Sequence, residues 1–404
     1  MLHGDCFPRL LKTPKLKPDE SFTGYILRLA EENGYSSPFW IIKLAKFGDK
    51  LILPNYSFTS ISSEPFKLLA SLSGSTISEL AQITYQPVDT RRYYFHLFCE
   101  LPVHRSFIQP GRPKVCPECL REAAYSRRVW EFILITVCPA HKCMLIDECP
   151  NCKRPIKWVR SSVCKCQCKF DWRELALTPV QDYEMNLARV IHRLCGLSCS
   201  EDNRCSSKQN PALKLSLQDL TQAVVFMAGQ LRGVSLTTSR PLLSIEKVKD
   251  FHHLFTGAYY IFDDWPNHFY EFLNWWRANK RAVDSGYQRL HSVLYKDFGK
   301  LYTGLYKNKK LSASQFDFIR DAFVDYLAKE WDGCDLSYFA RNKNMGGSHK
   351  VKYVSKSDAR RLLDTDDAWI NHFIWTGRLK TMVRSKGMKR LIFVDVADIA
   401  NLLL

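Results

Sequence analysis

Val137-Cys-Pro-Ala-His-Lys-Cys-Met-Leu-Ile-Asp-Glu-Cys-Pro-Asn-Cys152 sets four cysteines and a histidine within sixteen residues. Thiols spaced so tightly in a reducing compartment favour metal over disulfides. Of the chain's 15 cysteines, nine fall between Cys116 and Cys168. How those nine divide into ligand sets decides how the chain is read.

Upstream, Cys116-Pro-Glu-Cys119 is the natural partner of Cys138-Pro-Ala-His141, with 18 residues between them. Zinc takes four ligands in a tetrahedron, and a CxxC or CxxH turn presents two of them to one side of the ion. Trp130, Phe132, Ile133 and Ile135 in the intervening segment supply apolar cover. A second set starts at Cys149 and Cys152 and closes with two of Cys164, Cys166 and Cys168; spacing alone permits any pair. Cys143 lies two residues past His141 in an extended segment and is expected to face away. Both shells are then full. A catalytic zinc keeps a position open for water and usually has a carboxylate base nearby. The block has no HExxH or HxE…PCxxC pattern, and the chain has no GxxxxGK[ST] phosphate loop. The expectation is two structural zinc ions, which let a short stretch fold with little core, in a chain that is not an enzyme.

The chain has 404 residues, 46% apolar and 13% aromatic, enough for several ordered domains. It has no apolar run of membrane-spanning length and opens without a secretory signal, so a cytoplasmic protein is expected. Its net charge is +17. A solvated basic surface accounts for that charge without a partner; nucleic acid is the alternative. Residues 341–404 hold thirteen Lys/Arg against six Asp/Glu, and residues 104–174 hold fourteen against seven. Ligated thiolates add negative charge to the cysteine block. The C-terminal segment is therefore the better candidate for phosphate contact.

The fold class expected is mainly α and multidomain. Pro18-Asp-Glu-Ser21 opens a helix with Phe22, Ile26 and Leu29 on one stripe, stopped by Asn33-Gly34. Phe66–Leu72 and Ile77–Ile83 flank Gly74 with helix-turn-helix spacing, a pattern that two packed core helices share. Trp265, Phe269, Phe272, Leu273 and Trp276 form a stripe expected to be core or a protein-binding face. Cys195, Cys199 and Cys205 lack a paired CxxC and are read as unliganded. Near the end come a helix over Ser355–Leu363, a helix opened by Asp366 and closed by Gly377, a basic hairpin, and a last helix over Val396–Leu403. That order reads as a winged helix-turn-helix with Trp369, Ile370 and Phe373 inward. Asn371 and His372 would then face DNA, Asn371 being able to pair bidentately with adenine. Arg378, Lys380, Arg384, Lys386, Lys389 and Arg390 would meet phosphate. The domains implied are 1–103 (helical), 104–176 (tandem zinc modules), 177–345 (helical) and 346–404 (winged helix).

The stretch Pro18-Asp-Glu-Ser-Phe-Thr-Gly-Tyr, the two CPxC/CPxH knuckles, and Cys149-Pro-Asn-Cys152 followed by Cys166-Gln-Cys168-Lys-Phe-Asp171 together resemble the TniQ/TnsD family of transposon target-selection proteins. The resemblance runs over residues 8–175 and more loosely, through Asp264-Trp-Pro266, to the end. The family's second knuckle typically closes as C-x-C-G-x-D, which favours Cys166 and Cys168 as ligands over Cys164; here Lys169 stands at the glycine position. The resemblance implies a bacterial, DNA-associated adaptor. It would link a target platform, either a CRISPR effector with guide RNA or attachment-site DNA, to an AAA+ regulator resembling TnsC and to the transposase. A length of 404 residues is closer to the effector-riding members. The target DNA is a partner in either case, no membrane is involved, and a homodimer is compatible. A zinc-containing, sequence-specific transcription regulator outside transposition is the alternative reading, and a zinc hydrolase is disfavoured by the filled shells.

Overall fold

The computed structural model describes residues 9–47, 57–58, 63–88, 94–197, 209–232, 247–278, 293–306, 311, 313–330, 353–386 and 389–403. The chain separates into two compact units, Met1–Asp263 and Asp264–Leu404.

In the first unit, α1 (Phe22–Glu32) begins where Ser21 Oγ accepts the Gly24 N–H at 3.1 Å. It ends at Asn33, and Gly34 turns the chain with φ +75°. Phe22, Tyr25, Ile26 and Leu29 are buried against α2 (Phe39–Leu44), α3 (Glu64–Ser73) and α4 (Ile77–Ile83). α3 stops at Gly74, whose φ of +67° suits glycine, and α4 starts on a reciprocal Thr76–Glu79 cap. Leu69, Leu72, Leu80 and Ile83 share one core, so the expected helix pair forms. A hairpin of β1 (Phe95–Phe98) and β2 (Leu101–His104) follows. Besides short 3-10 turns at Arg105–Phe107, Arg128–Glu131 and Trp172–Glu174, the cysteine block contributes α5 (Pro117–Glu122) and the two-residue strands β3 (Val137–Cys138) and β4 (Cys143–Met144). Regular hydrogen bonding is sparse there, as expected of a segment held by cross-links rather than by layers. α6 (Asn186–Leu194), α7 (Leu217–Leu231) and α8 (Val248–Tyr260) complete the unit, with α7 buried along most of its length.

In the second unit, α9 (Asn267–Ala278), α10 (Val293–Tyr306) and α11 (Asp317–Lys329) pack through aromatics. Phe298 meets Phe323 edge-on at 5.3 Å, and the Tyr326 hydroxyl donates to Asn274 Oδ1 at 2.7 Å. Phe269, Phe272 and Leu273 are core, as their spacing predicts.

The remainder runs β5 (Tyr353–Ser355), α12 (Lys356–Leu362), α13 (Asp367–Trp375), β6 (Thr381–Lys386), β7 (Lys389–Asp395) and α14 (Val396–Leu403). The strands form an antiparallel sheet in the order β5-β7-β6, with the helix pair between its first and second strands in sequence. Val354, Ala359, Ile370, Leu379, Val394 and Ile399 make the core. Asp366 caps α13 by accepting the Trp369 N–H at 3.0 Å, and Gly377 leaves it with φ +74°. One expectation fails here. Trp369 was placed on the core face, yet it is 55% exposed while neighbouring Ile370 is fully buried. Successive helical side chains point about 100° apart, so a core this small takes Ile370 and leaves the indole outside. Among the described residues, no helix is long and apolar enough to cross a membrane.

Candidate metal centres

The first cluster is assembled by α5 and the β3–β4 turn. Cys116 is the N-cap of α5, with Pro117 fixing the first turn, and the Cys119 N–H points at Cys116 Sγ at 3.5 Å. β3 then delivers Cys138, and the turn to β4 carries His141. Cys119 Sγ lies 3.6 Å from Cys138 Sγ, and His141 Nδ1 lies 3.5, 3.3 and 3.4 Å from the sulfurs of Cys116, Cys119 and Cys138. Ligands at ordinary Zn–S and Zn–N lengths, spread tetrahedrally, stand about 3.5–3.8 Å apart. The donor set therefore fits one zinc ion. Without a cation the crowding is unfavourable: the adjoining Cys116 thiol and burial push the Cys138 thiol up to about 12.

The second cluster joins two tight turns. Cys149 Sγ is 3.6 Å from Cys168 Sγ and Cys152 Sγ is 3.8 Å from Cys166 Sγ, the four donors lying within 4.8 Å of one another. Of the three cysteines that spacing left open, the structure brings Cys166 and Cys168 to Cys149 and Cys152. Cys164 is buried elsewhere, with its carbonyl accepting the Trp172 N–H at 3.0 Å. The Arg154 side chain and backbone hold the Cys152 thiol down to about 6. Lys169 adopts φ +69°, so the turn takes a left-handed residue here although lysine occupies it. Lys142 and Lys153, each directly after a knuckle, do the same at +48° and +57°.

Cys143 departs from expectation. It is fully buried, and its Sγ sits 3.6 Å from Cys116 Sγ rather than facing away. β3 and β4 pair Cys138 with Cys143 directly, which turns both side chains to the same face of the ribbon. Cys195, at the end of α6, joins neither cluster; Cys199 and Cys205 lie outside the described residues.

Residues that spacing does not reveal hold these turns in place. Glu122 Oε1 meets His141 Nε2 at 2.9 Å, fixing the ring with Nδ1 toward the sulfurs. Buried Lys114 donates to the carbonyls of Phe132 and Ile135, both at 2.7 Å, tying the approach to Cys116 to the approach to Cys138. Arg160, buried, donates to the carbonyls of Lys157, Ser162 and Val163 and lies 5.0 Å over the Trp172 ring. Arg121 on α5 reaches the carbonyls of Arg173 and Leu175, coupling the two knuckle regions.

The same logic explains Pro18-Asp-Glu-Ser21. Asp19 accepts from Tyr125 Oη at 2.6 Å and Arg127 at 2.7 Å, Glu20 pairs with Arg28 at 2.7 Å, and Ser21 caps α1. A Cβ on Gly24 would come within 2.6 Å of Ser126 Cβ, so only glycine lets α1 sit this close to the metal-site loop. Fully buried Glu131, its carboxyl pushed upward by burial, accepts from Thr23 and Tyr85 at 2.9 and 2.5 Å. These motif residues dock the N-terminal helices onto the first knuckle.

Of the positions expected to meet nucleic acid, Asn371, His372, Arg378 and Lys380 are exposed on or just after α13. Arg384, Lys386, Lys389 and Arg390 lie at the end of the β6–β7 hairpin, where Lys386 pairs with Lys389 and Ser385 with Arg390. The side chains of those four lie outside the described residues.

Two sulfur-rich clusters of four donors, each set on short turns beside a helical scaffold, define a class of candidate metal-binding module. Residues 11–145 match the TniQ family model. The match takes in the whole first cluster, about a third of the chain, and ends before Cys149. It shows a likeness to that family over this stretch. No curated protein matches the chain.

Proposed function

We propose that this protein is a target-selection adaptor for DNA transposition, joining a target complex to an AAA+ regulator resembling TnsC and through it to the transposase. The observation that carries the reading is the coincidence of the family match over residues 11–145 with the packing of its motif residues. Asp19, Gly24 and Glu131 join α1 to the loop of the first knuckle, while Glu20 and Ser21 brace and cap α1 itself, which favours a rigid platform over a reacting site. Cys116, Cys119, Cys138 and His141 would hold one zinc ion, and Cys149, Cys152, Cys166 and Cys168 a second. Each ion would cross-link its two turns, with no position left for water or substrate.

In this reading residues 353–403 are a winged helix: α12 and α13 are the helix pair and β6–β7 the wing. α13 approaches DNA with Asn371 and His372, while Arg378, Lys380, Arg384, Lys386, Lys389 and Arg390 contact phosphate. The target platform is a CRISPR effector carrying guide RNA, with direct reading of attachment-site DNA as the competing outcome. The test is affinity purification of the tagged chain from cells co-expressing an AAA+ regulator resembling TnsC and a CRISPR effector with its guide RNA. Recovery of both, with guide RNA, is expected. Recovery of the regulator without RNA would assign direct DNA reading, and recovery of neither would contradict the adaptor role.

A further inference from the structure

α13 carries two tryptophans that stand outside the core formed by the described residues. Trp369 is 55% exposed and Trp375 is 85% exposed, although the adjoining core is filled by six apolar side chains. The rings form a strip rather than isolated points. His372 stands 5.7 Å from Trp369 and 6.5 Å from Trp375, and partly buried Phe373 backs Trp369 at 5.7 Å and His372 at 6.1 Å. The i, i+3, i+6 spacing winds the three outer rings over about a third of the helix circumference and about 9 Å of its length, with Trp369 and His372 edge to face at 86°, room for two or three bases between and against them.

Charge indicates what covers the strip. Exposed Arg378 and Lys380 come three and five residues after Trp375; Asp398 accepts the Lys380 backbone N–H at 2.7 Å, and among the described residues no ion pair is found for either side chain. The segment from residue 341 to 404 has thirteen basic against six acidic residues. At the other end, Asp366 already occupies the Trp369 N–H, so that helix terminus does not draw phosphate. Cations beside flat exposed rings suit a polyanion whose ring faces are available. A duplex hides those faces in its stack and offers only base edges in the grooves. A strand with unpaired bases offers both the faces and the phosphates.

We infer that the Trp369–His372–Trp375 strip is a stacking platform for unpaired DNA bases, with Arg378 and Lys380 holding the adjoining phosphates. This rests on the reading of residues 353–403 as a DNA-contacting domain and narrows its ligand to DNA opened into single strand.

The test measures fluorescence anisotropy of labelled oligo-dT, a dA·dT duplex of equal length and oligo-rU with the full-length protein. Oligo-dT is expected to bind about tenfold or more tighter than the duplex, and Trp375→Ala or Trp369→Ala to weaken it roughly 5- to 150-fold. Trp375→Phe, which keeps a stacking ring, should retain most of the affinity and controls for folding. Equal or stronger duplex binding, or alanine variants that bind oligo-dT like the parent, overturns the platform. Stronger oligo-rU binding overturns the assignment to DNA. Combined neutralisation of Lys386, Lys389 and Arg390 separates the two levels. If it weakens all probes while the tryptophan variants do not, only the stacking inference fails; if neither it nor the tryptophan variants change any probe, the DNA-contacting reading itself fails.

Discussion

Glu122 Oε1 and His141 Nε2 stand 2.9 Å apart, while Nδ1 on the other side of the imidazole faces three sulfurs. The carboxylate thus selects which ring nitrogen is left to bind metal. Outer partners of this kind typically contribute 10–100-fold to metal affinity. The Glu122 side chain is 56% exposed, which places the effect at the lower end. Glu122→Ala is expected to weaken zinc binding about tenfold with both ions retained, read by competition with a chromophoric chelator. An unchanged affinity would mean that the contact does not orient the ring.

Cys143 gives a contrast between a neighbour and a ligand. It touches Cys116 but stands outside the four-donor set. Cys143→Ser should leave two zinc ions bound and lower stability by about 1–2 kcal/mol, the usual range for a polar change at a packed site. His141→Ala should cost one ion. If Cys143→Ser loses an ion and His141→Ala keeps both, the fourth ligand of the first centre is Cys143.

The lysines after the knuckles are strained in the same sense. Left-handed backbone costs a residue with a Cβ roughly 1–2 kcal/mol, and glycine gives back part of that as chain entropy, about 0.5–1 kcal/mol. Lys153→Gly and Lys169→Gly, both exposed, should therefore raise stability slightly, by about 0.5 kcal/mol each. Destabilisation in thermal or urea unfolding would indicate that the lysine side chains support the turns.

Lys114 carries a pH signature. Burial holds it down to about 7 from an ordinary value of 10.5, so the folded state binds fewer protons than the unfolded one between those limits. Its contribution is complete above the unfolded value and lost as pH falls toward 7. The stability of the parent relative to Lys114→Met should thus grow as pH is raised from 7 to 9.5, measured by urea unfolding at fixed zinc. Parallel profiles would show that the lysine stays charged in the folded protein.

The contrast between Cys116 and Lys114 indicates what a sequence makes legible. Knuckles, helix caps and the Gly74 and Gly377 stops are local, and a few residues carry the whole signal. Lys114, Glu122, Glu131 and Arg160 take their roles from partners up to 108 positions away, as between Thr23 and Glu131, and no local pattern announces them. Trp369 was misread because a helical stripe says which residues are apolar, not how many of them a small core can accept. Cys143 defeats the expectation that it faces away because its direction is set by the cross-strand pairing with Cys138, which spacing along the chain does not show.

The central claim is that two closed, protein-ligated zinc centres build the platform on which the adaptor reading rests. Elemental analysis with zinc X-ray absorption on protein purified without chelator tests it most directly. Two zinc ions per chain are expected, with seven sulfurs and one imidazole nitrogen shared between them, matching the two four-donor clusters. One ion or none, or an oxygen ligand from water in either shell, would contradict the account.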